Sequence, residues 1–132
     1  MKIENSNGNI INTEIYIHDD IFNNLLYDKN SNTLRLLLSK SNECEDKYEI
    51  NYINVIAFEV TSCDYWGKSP HILDFEYVEY SNCKLLPALY EKQKKMPYNP
   101  ECRLTYKKEY IETIITFTSG DQMTVVCEYI DI

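Results

Sequence analysis

Apolar and polar residues alternate along several stretches of this chain, and such alternation is typical of half-buried β-strands. Leucines at every second position, beginning with Leu34, share one face of segment 33–39. Segment 21–27 precedes it across the polar cluster DKNSN. Together the two segments predict a β-hairpin. The charged run 39–47 is expected to form the loop that follows.

Segment 48–62 carries a second alternating pattern, rich in β-branched and aromatic residues. Its apolar positions fall into two sets, and Asn54 stands between them, where a bulge or a break is expected. The first set is Tyr48, Ile50 and Tyr52. The second set, Ile56, Phe58 and Val60, is expected to face the interior.

The clearest hairpin of the sequence is segment 112–130, in which Gly120 and Asp121 predict a two-residue type II′ turn. The inward positions of its strands are expected to be Ile115, Phe117, Met123, Val125 and Cys127. Segment 83–96 is the best helix candidate, because Pro87 suits a first turn and lysines near its end suit the negative end of the helix dipole.

Two further segments give weaker signals. Segment 102–108 is compatible with a short strand, and residues 1–13 with either a weak first strand or a flexible lead-in. The predicted elements give one α+β domain over residues 1–132. We expect a mainly antiparallel sheet, or a partly closed barrel or sandwich, with hairpin connections and one short helix.

The charge of the chain limits its expected partners. Thirteen Lys and Arg residues stand against 21 Asp and Glu residues, a formal net charge of −8. Such a surface repels phosphate backbones and anionic lipids, so we expect neither nucleic acid nor membrane as a partner. It favours a basic protein partner, although the charge also serves solubility alone.

The five cysteines indicate a reduced protein. Their odd number and the lack of a CxxC pair argue against a disulfide framework and a zinc knuckle, so we expect buried thiols and no cofactor. The start of the sequence shows no signal-peptide pattern, and no apolar run approaches the ~20 residues of a membrane helix. The expected location is the cytoplasm.

One set of residues could carry chemistry. His18, Asp19 and Asp20 bring an imidazole and two carboxylates together, and Asp64 and His71 could complete a metal-binding or hydrolytic site if the fold brings them near. Alternatively, His18 ends a strand and an aspartate caps the following turn. No nucleophile elbow or glycine-rich phosphate loop accompanies them, which favours a non-enzymatic protein.

The polar side of two predicted strands suggests a binding surface. In segment 71–80, Leu73, Phe75 and Tyr77 are expected to face inward, so that Asp74 and Glu76 face outward. Segments 56–61 and 71–80 are expected to be neighbours, joined by the stretch CDYWGKSPH. The candidate partner-binding residues are Glu59, Asp64, Tyr65, Trp66, Asp74, Glu76 and Tyr80.

The order of these motifs resembles a known class of protein. The succession of IHDD, LLYDKNSNTLRLLL, NVIAFEV, DYW and ITFTSGDQMTVVCEYI is similar to small bacterial immunity-type domains of polymorphic-toxin systems. The resemblance implies a non-enzymatic cytoplasmic protein that binds and blocks a cognate toxin, often a basic one. It implies no particular contact residue. The remaining alternatives are the metal-binding or hydrolytic domain and an oligomeric β adaptor domain.

Overall fold

The structure, a computed structural model, is built around a large antiparallel sheet. It describes residues 2–6, 9–11, 16–40, 43–61, 70–78, 82–95 and 109–132. Within these residues there are eight strands and one helix. In chain order they are β1 (Lys2–Ser6), β2 (Asn9–Ile11), β3 (Ile21–Asp28), β4 (Thr33–Lys40), β5 (Glu43–Val60), β6 (Ile72–Tyr77), α1 (Leu85–Lys95), β7 (Ile111–Phe117) and β8 (Gln122–Asp131).

Strand β8 organises the sheet because both of its edges are paired. One edge pairs with β5, which continues to β4 and then β3. The other edge pairs with β7 over residues 122–127 and with β1 over residues 129–131. Strand β6 adds to the far side of β7, and β2 to the far side of β1. All of these pairings are antiparallel, as the alternation predicts.

The strand ladders do not close the sheet, but its two ends approach each other. The amide of Phe22, at the start of β3, donates to the carbonyl of Pro70 at 2.9 Å. The amide of Ile72 donates to the carbonyl of Asp20 at 2.9 Å, and an isolated bridge joins Ile21 to His71. The segment before β3 is therefore held against the start of β6.

The hydrophobic core lies on one side of the sheet, here called the inner face. The alternating leucines of β4 are fully buried there, which confirms the predicted hairpin of β3 and β4. The inward positions predicted for β7 and β8 are also buried. The core residues include Ile3, Phe22, Leu34, Leu36, Leu38, Ile50, Tyr52, Ile72, Ile115, Phe117, Met123, Val125 and Cys127.

Strand β5 is irregular near its middle, as expected. Asn54 has a left-handed backbone conformation, with φ of 51°. The pairing with β8 then slips by one residue after Val55. The slip moves Ile56 to the opposite, outer face, while Val55 takes a place in the core. The prediction that Ile56 faces inward is therefore wrong, whereas the other two members of its set pack against the core.

Strand β6 contains a second slip, which changes one predicted position. Its register with β7 shifts between Ile72 and Asp74. Ile72 is buried, and Phe75 and Tyr77 pack against the core as predicted. Leu73, the residue at the slip, is 46% exposed. The prediction that Leu73 faces inward is wrong, because a bulge interrupts the alternation.

The loop between β7 and β8 is longer than the predicted two-residue turn. The amide of Gly120 donates to the carbonyl of Phe117 at 2.9 Å, and the amide of Phe117 donates to the carbonyl of Asp121 at 2.9 Å. Residues 118–120 therefore form a three-residue loop. Gly120 supplies its left-handed position, with φ of 89°. The hairpin itself is confirmed.

The remaining elements follow the predictions in part. Helix α1 falls within the predicted segment, with three lysines in its last turn. The charged run 39–47 is not a loop, because β4 and β5 continue into it and leave only residues 41–42 between them. Within residues 1–13, Lys2–Ser6 and Asn9–Ile11 form strands β1 and β2. The strand predicted at 102–108 lies outside the described residues.

Candidate functional site

Three of the predicted binding residues share the outer face of the sheet. Glu59, Asp74 and Glu76 are all exposed. One outer-face row crosses four paired strands in the order Glu76, Ile114, Thr124 and Glu59. The next row contains Asp74, Thr116 and Gln122. We call these seven residues the acidic patch.

The carboxylates of the acidic patch are farther apart than the sequence suggested. The expectation that segments 56–61 and 71–80 are neighbours is wrong, because β8 and β7 lie between β5 and β6. Glu59 and Glu76 are thus three strand spacings apart, roughly 14 Å at about 4.8 Å for each spacing. The surface between them carries uncharged side chains, Ile114 and Thr124 among them.

No cation within the described part of the chain neutralises the negative charge of the patch. Among the residues that the structure describes, no ion pair joins Glu59, Asp74 or Glu76 to a cation. The described ion pairs lie elsewhere. In one of them, Arg35 Nη2 lies 2.6 Å from Glu49 Oε1, and the guanidinium lowers the pKa of the glutamate. The patch therefore keeps an electrostatic potential that a cationic surface can meet.

One end of the patch is held in place by the β7–β8 loop. The Thr61 hydroxyl donates to the carboxylate of Asp121 at 3.2 Å, and the Gln122 amide donates to the same hydroxyl at 2.8 Å. Gln122 in turn donates from its side chain to Thr116 at 3.3 Å. These contacts fix the end of β5 against the hairpin and place a further carboxylate beside Asp74's row.

The other end of the outer face is covered by helix α1. Leu86 packs there with Tyr110 and Val126, and Ile56 adds to the cluster. Glu112, on the outer face of β7, is buried beneath the helix. Its carboxylate accepts hydrogen bonds from the amides of Lys84 at 2.9 Å and Leu86 at 2.7 Å, at the helix N-terminus. Nothing in the alternation pattern distinguishes this glutamate from an ordinary exposed one.

Four of the predicted binding residues, three of them aromatic, fall outside the described residues. Asp64, Tyr65, Trp66 and Tyr80 therefore remain predictions as binding residues. Leu73, contrary to its predicted inward position, adds an exposed apolar side chain next to Asp74. An apolar group beside carboxylates is the kind of contact that protein-binding surfaces use.

The fold brings the two histidines to the same junction. His18 Nδ1 lies 2.5 Å from the carbonyl oxygen of Leu73, and His71 Nδ1 lies 2.9 Å from the carbonyl oxygen of Asp19. Each ring thus bonds to the backbone on the other side of the junction between β3 and β6. The Asp19 carboxylate lies 3.5 Å from His18 Nε2.

The carboxylate of Asp20 bonds to groups other than the two histidines. Asp20 is 4% exposed, and its carboxylate accepts hydrogen bonds from the Tyr48 hydroxyl at 2.5 Å and the Lys40 ammonium at 3.1 Å. Burial and the adjacent Asp20 raise the pKa of Tyr48 well above its ordinary value. The three groups connect the segment before β3 to strands β4 and β5.

The described residues do not assemble a metal site. No three of their His, Cys, Asp and Glu side chains are grouped so that they could hold an ion. Asp64, the remaining member of the hypothetical metal set, lies outside the described residues. Cys83 and Cys127 are unpaired thiols, and burial raises the pKa of both, that of Cys83 to about 11. No helix of the described part has the length and apolar content to cross a bilayer.

Comparisons with known proteins leave the chain without a family. No family model matches the sequence, and no curated protein matches it. One solved structure, an uncharacterized protein from Neisseria gonorrhoeae, is similar at a TM-score of 0.46 and 17% sequence identity. The similarity covers 89% of this chain and 91% of that chain. Likeness of this degree carries no argument about function.

Proposed function

We propose that this chain is a non-enzymatic binding protein that acts in the cytoplasm and neutralises a basic toxin by covering its surface, as an immunity protein does. The acidic patch carries the proposal. Its three carboxylates are exposed on one face and lack a cationic partner among the described residues. The resemblance of the sequence to immunity-type domains supports the same function.

The sheet presents these charges on a rigid support. Strand β8 is paired along both edges, and β7 lies between β8 and β6, so the outer-face rows have fixed spacings. A binding surface that is already ordered loses little conformational entropy when its partner docks. Complementary charge also speeds the encounter of the two proteins, and this acceleration falls as ionic strength rises.

Neutralisation would follow from occlusion. A cationic toxin surface that contacts Glu59, Asp74 and Glu76 would lie flat on the sheet, with Leu73 available for apolar contact. Asp64, Tyr65, Trp66 and Tyr80 complete the proposed binding set, the aromatic residues as anchors at its rim. The mechanism requires no chemical step from this chain.

Affinity capture from the native host tests the proposal. The baits are the wild-type protein and the double variant Glu59→Lys/Glu76→Lys, whose substitutions lie at the two ends of one row. The matched control is Asp46→Lys/Glu91→Lys, which changes the net charge equally at exposed positions away from the patch. We expect wild type and control to retain a basic protein that the patch variant loses.

The captured protein is then titrated with each bait at rising salt. Steering by the patch predicts that association with wild type slows as salt increases, and that the patch variant associates slowly at every salt concentration. The proposal fails if the partner is acidic, or if the patch and control variants bind equally well. It also fails if the bound partner remains toxic when it is expressed together with this chain.

A further inference from the structure

Three hydroxyl groups on the inner face have no hydrogen-bond partner within the described part of the chain. They belong to Tyr52 on β5, Tyr77 on β6 and Thr113 on β7. Tyr52 and Thr113 are completely buried. The Tyr77 ring is half-buried, but its hydroxyl oxygen is shielded from solvent. Three strands therefore each carry one polar atom into the interior.

These hydroxyl groups lie close together. Thr113 stands directly opposite Tyr77 in the register of β6 and β7. Burial raises the pKa of the Tyr52 phenol, and the Thr113 hydroxyl lies near enough to lower that pKa as a hydrogen-bonding neighbour, although the two oxygens fall outside full hydrogen-bond geometry. Tyr77 acts on the same phenol through charge. The buried thiol of Cys127 borders both phenols. The site has polar groups from four neighbouring strands and apolar core residues around them.

A buried hydroxyl without a partner destabilises a folded protein, and almost all buried polar groups have one. Three such groups at one place in a core therefore require a common explanation. A buried water molecule typically makes about three hydrogen bonds to polar groups that the protein leaves unpaired. Two phenols and a threonine hydroxyl match that requirement in number, and each can either donate or accept.

We infer that Tyr52, Tyr77 and Thr113 form a binding site for an ordered internal water molecule, which joins strands β5, β6 and β7 from the inner face. Thr113 stands between Glu112, which holds helix α1, and Ile114, which belongs to the acidic patch. The bound water would therefore fix the strand positions that support both. The inference holds whether or not the patch binds a toxin.

Removal of single hydroxyls tests the proposed water site, because the change in stability should differ in sign between bridged and unpaired hydroxyls. The variants are Tyr52→Phe, Tyr77→Phe and Thr113→Val, measured by urea unfolding. If water bridges the groups, each variant lowers the urea midpoint, with a roughly 5- to 10-fold increase in the unfolded-to-folded ratio. If the hydroxyls are unpaired, their removal relieves a desolvation cost and raises the midpoint, which overturns the inference.

Two matched substitutions control for loss of a hydroxyl elsewhere. Tyr16→Phe removes one from a tyrosine that is 78% exposed, and Thr124→Val removes one from the outer face of β8. Both are expected to leave the midpoint nearly unchanged. In the double variant Tyr52→Phe/Thr113→Val, the urea midpoint should fall by less than the sum of the two single decreases, because the first substitution already displaces the shared water.

A direct observation of the water separates bridging from direct contact between the hydroxyls. Nuclear Overhauser effects from water to protons of Tyr52 and Thr113 are expected in the wild type and should vanish in Thr113→Val. A high-resolution crystal structure should show the molecule within hydrogen-bond distance of all three oxygens. A lowered midpoint without any water signal overturns the inference, because direct bonds between the hydroxyls would then account for the stability.

Discussion

Glu112 and Asp20 are almost fully buried carboxylates, and each accepts hydrogen bonds from a distant part of the chain. Glu112 receives two amides at the start of helix α1, and Asp20 receives the Tyr48 hydroxyl and the Lys40 ammonium. Charged groups are rarely buried unless such partners compensate the loss of water. Both residues therefore connect separate elements, and removal of either carboxylate should lower the free energy of unfolding.

Substitution of Glu112 should weaken the docking of helix α1. Glu112→Ala leaves the amides of Lys84 and Leu86 without their acceptor, and we expect a loss of about 2–3 kcal/mol in the free energy of unfolding. Glu112→Gln keeps one accepting oxygen, and about half of that loss is expected. Urea unfolding measures both, with the exposed Glu76→Ala as the control. A Glu112→Ala protein as stable as this control would contradict the assignment.

Removal of the Tyr48 hydroxyl should destabilise the segment before β3. Tyr48→Phe leaves the buried Asp20 carboxylate with the Lys40 ammonium alone, and we expect a loss of about 1–2 kcal/mol in the free energy of unfolding. Tyr27→Phe, at a tyrosine that is 41% exposed, provides the control and should change little. The idea is wrong if thermal unfolding shows the same stability for both variants.

At the scale of elements, irregular positions decide which side chains reach which face. Asn54 and the slip after Val55 move Ile56 to the outer face, where it packs with the helix cluster. The slip before Asp74 similarly exposes Leu73 and keeps the next acidic residue, Glu76, on the outer face. The later positions, Phe58 and Val60 in β5 and Phe75 and Tyr77 in β6, still lie on the core side that regular alternation predicts.

Asparagine tolerates the left-handed backbone conformation at position 54 better than most residues, so substitution there should destabilise the fold. Its side-chain amide also donates to Glu128 at 2.9 Å. We expect Asn54→Val to lose about 2 kcal/mol of unfolding free energy, because a β-branched residue strongly disfavours this conformation. Asn54→Gly removes the backbone strain but also the hydrogen bond, so a smaller change is expected. Equal free energies of unfolding for the valine and glycine variants, measured with urea, would refute this account.

Gly120 offers a cleaner test of backbone strain. Nothing lies within 4 Å of a Cβ added there, but its φ is 89°. We expect Gly120→Ala to reduce the free energy of unfolding by about 1 kcal/mol through conformation alone. Gly120→Asn should reduce the free energy of unfolding by less, because asparagine tolerates positive φ better than alanine does. Differential scanning calorimetry of the two variants checks the order, and a stabilised alanine variant would contradict it.

At the scale of the whole molecule, buried acids set the response to alkaline pH. Burial raises the pKa of Tyr52, Tyr48 and Cys127 far above their ordinary values, that of Tyr77 to about 12 and that of Cys83 to about 11. The folded protein therefore keeps protons that the unfolded chain releases. This contribution is complete below about pH 9 and is lost as the pH rises, by up to about 1.4 kcal/mol per pH unit for each fully buried group.

Urea unfolding between pH 7 and pH 11 measures this loss. We expect the free energy of unfolding to fall above pH 9, with a shallower slope above pH 10 in Tyr77→Phe, which lacks one of the groups. A constant free energy across this range would show that these groups titrate alike in the folded and unfolded states.

The sequence allowed prediction of the elements that have regular alternation, but not of their arrangement. The leucines of β4 and the two strands after Glu109 were correctly placed because period two determines their faces. The irregularity near Asn54 was predicted, but its effect on the face of Ile56 and the slip at Leu73 were not, since a bulge leaves the composition of a strand unchanged. The outer-face position of Glu59, Asp74 and Glu76 followed from alternation, but the two strands between them depend on long-range pairing.

Buried carboxylates were missed for a related reason. Glu112 occupies an outward position in a strand, where a glutamate is ordinary. Only the docking of helix α1 buries it, and the sequence does not say where that helix packs. The role of Asp20 likewise depends on Tyr48, 28 residues away in the chain.

Strand β8 has a consequence for how this protein is made. It pairs with β1, β5 and β7, and all three precede it in the chain. During synthesis on the ribosome these strands emerge before β8, so the edges that pair with β8 remain unpaired until it has been made. The pairing of β1 with β8 also joins the most widely separated positions in the described sheet, so its formation has the largest cost in chain entropy. The sheet can therefore be completed only after residues 122–131 have been synthesised, and until then the strand edges that β8 covers are open to pairing with other chains.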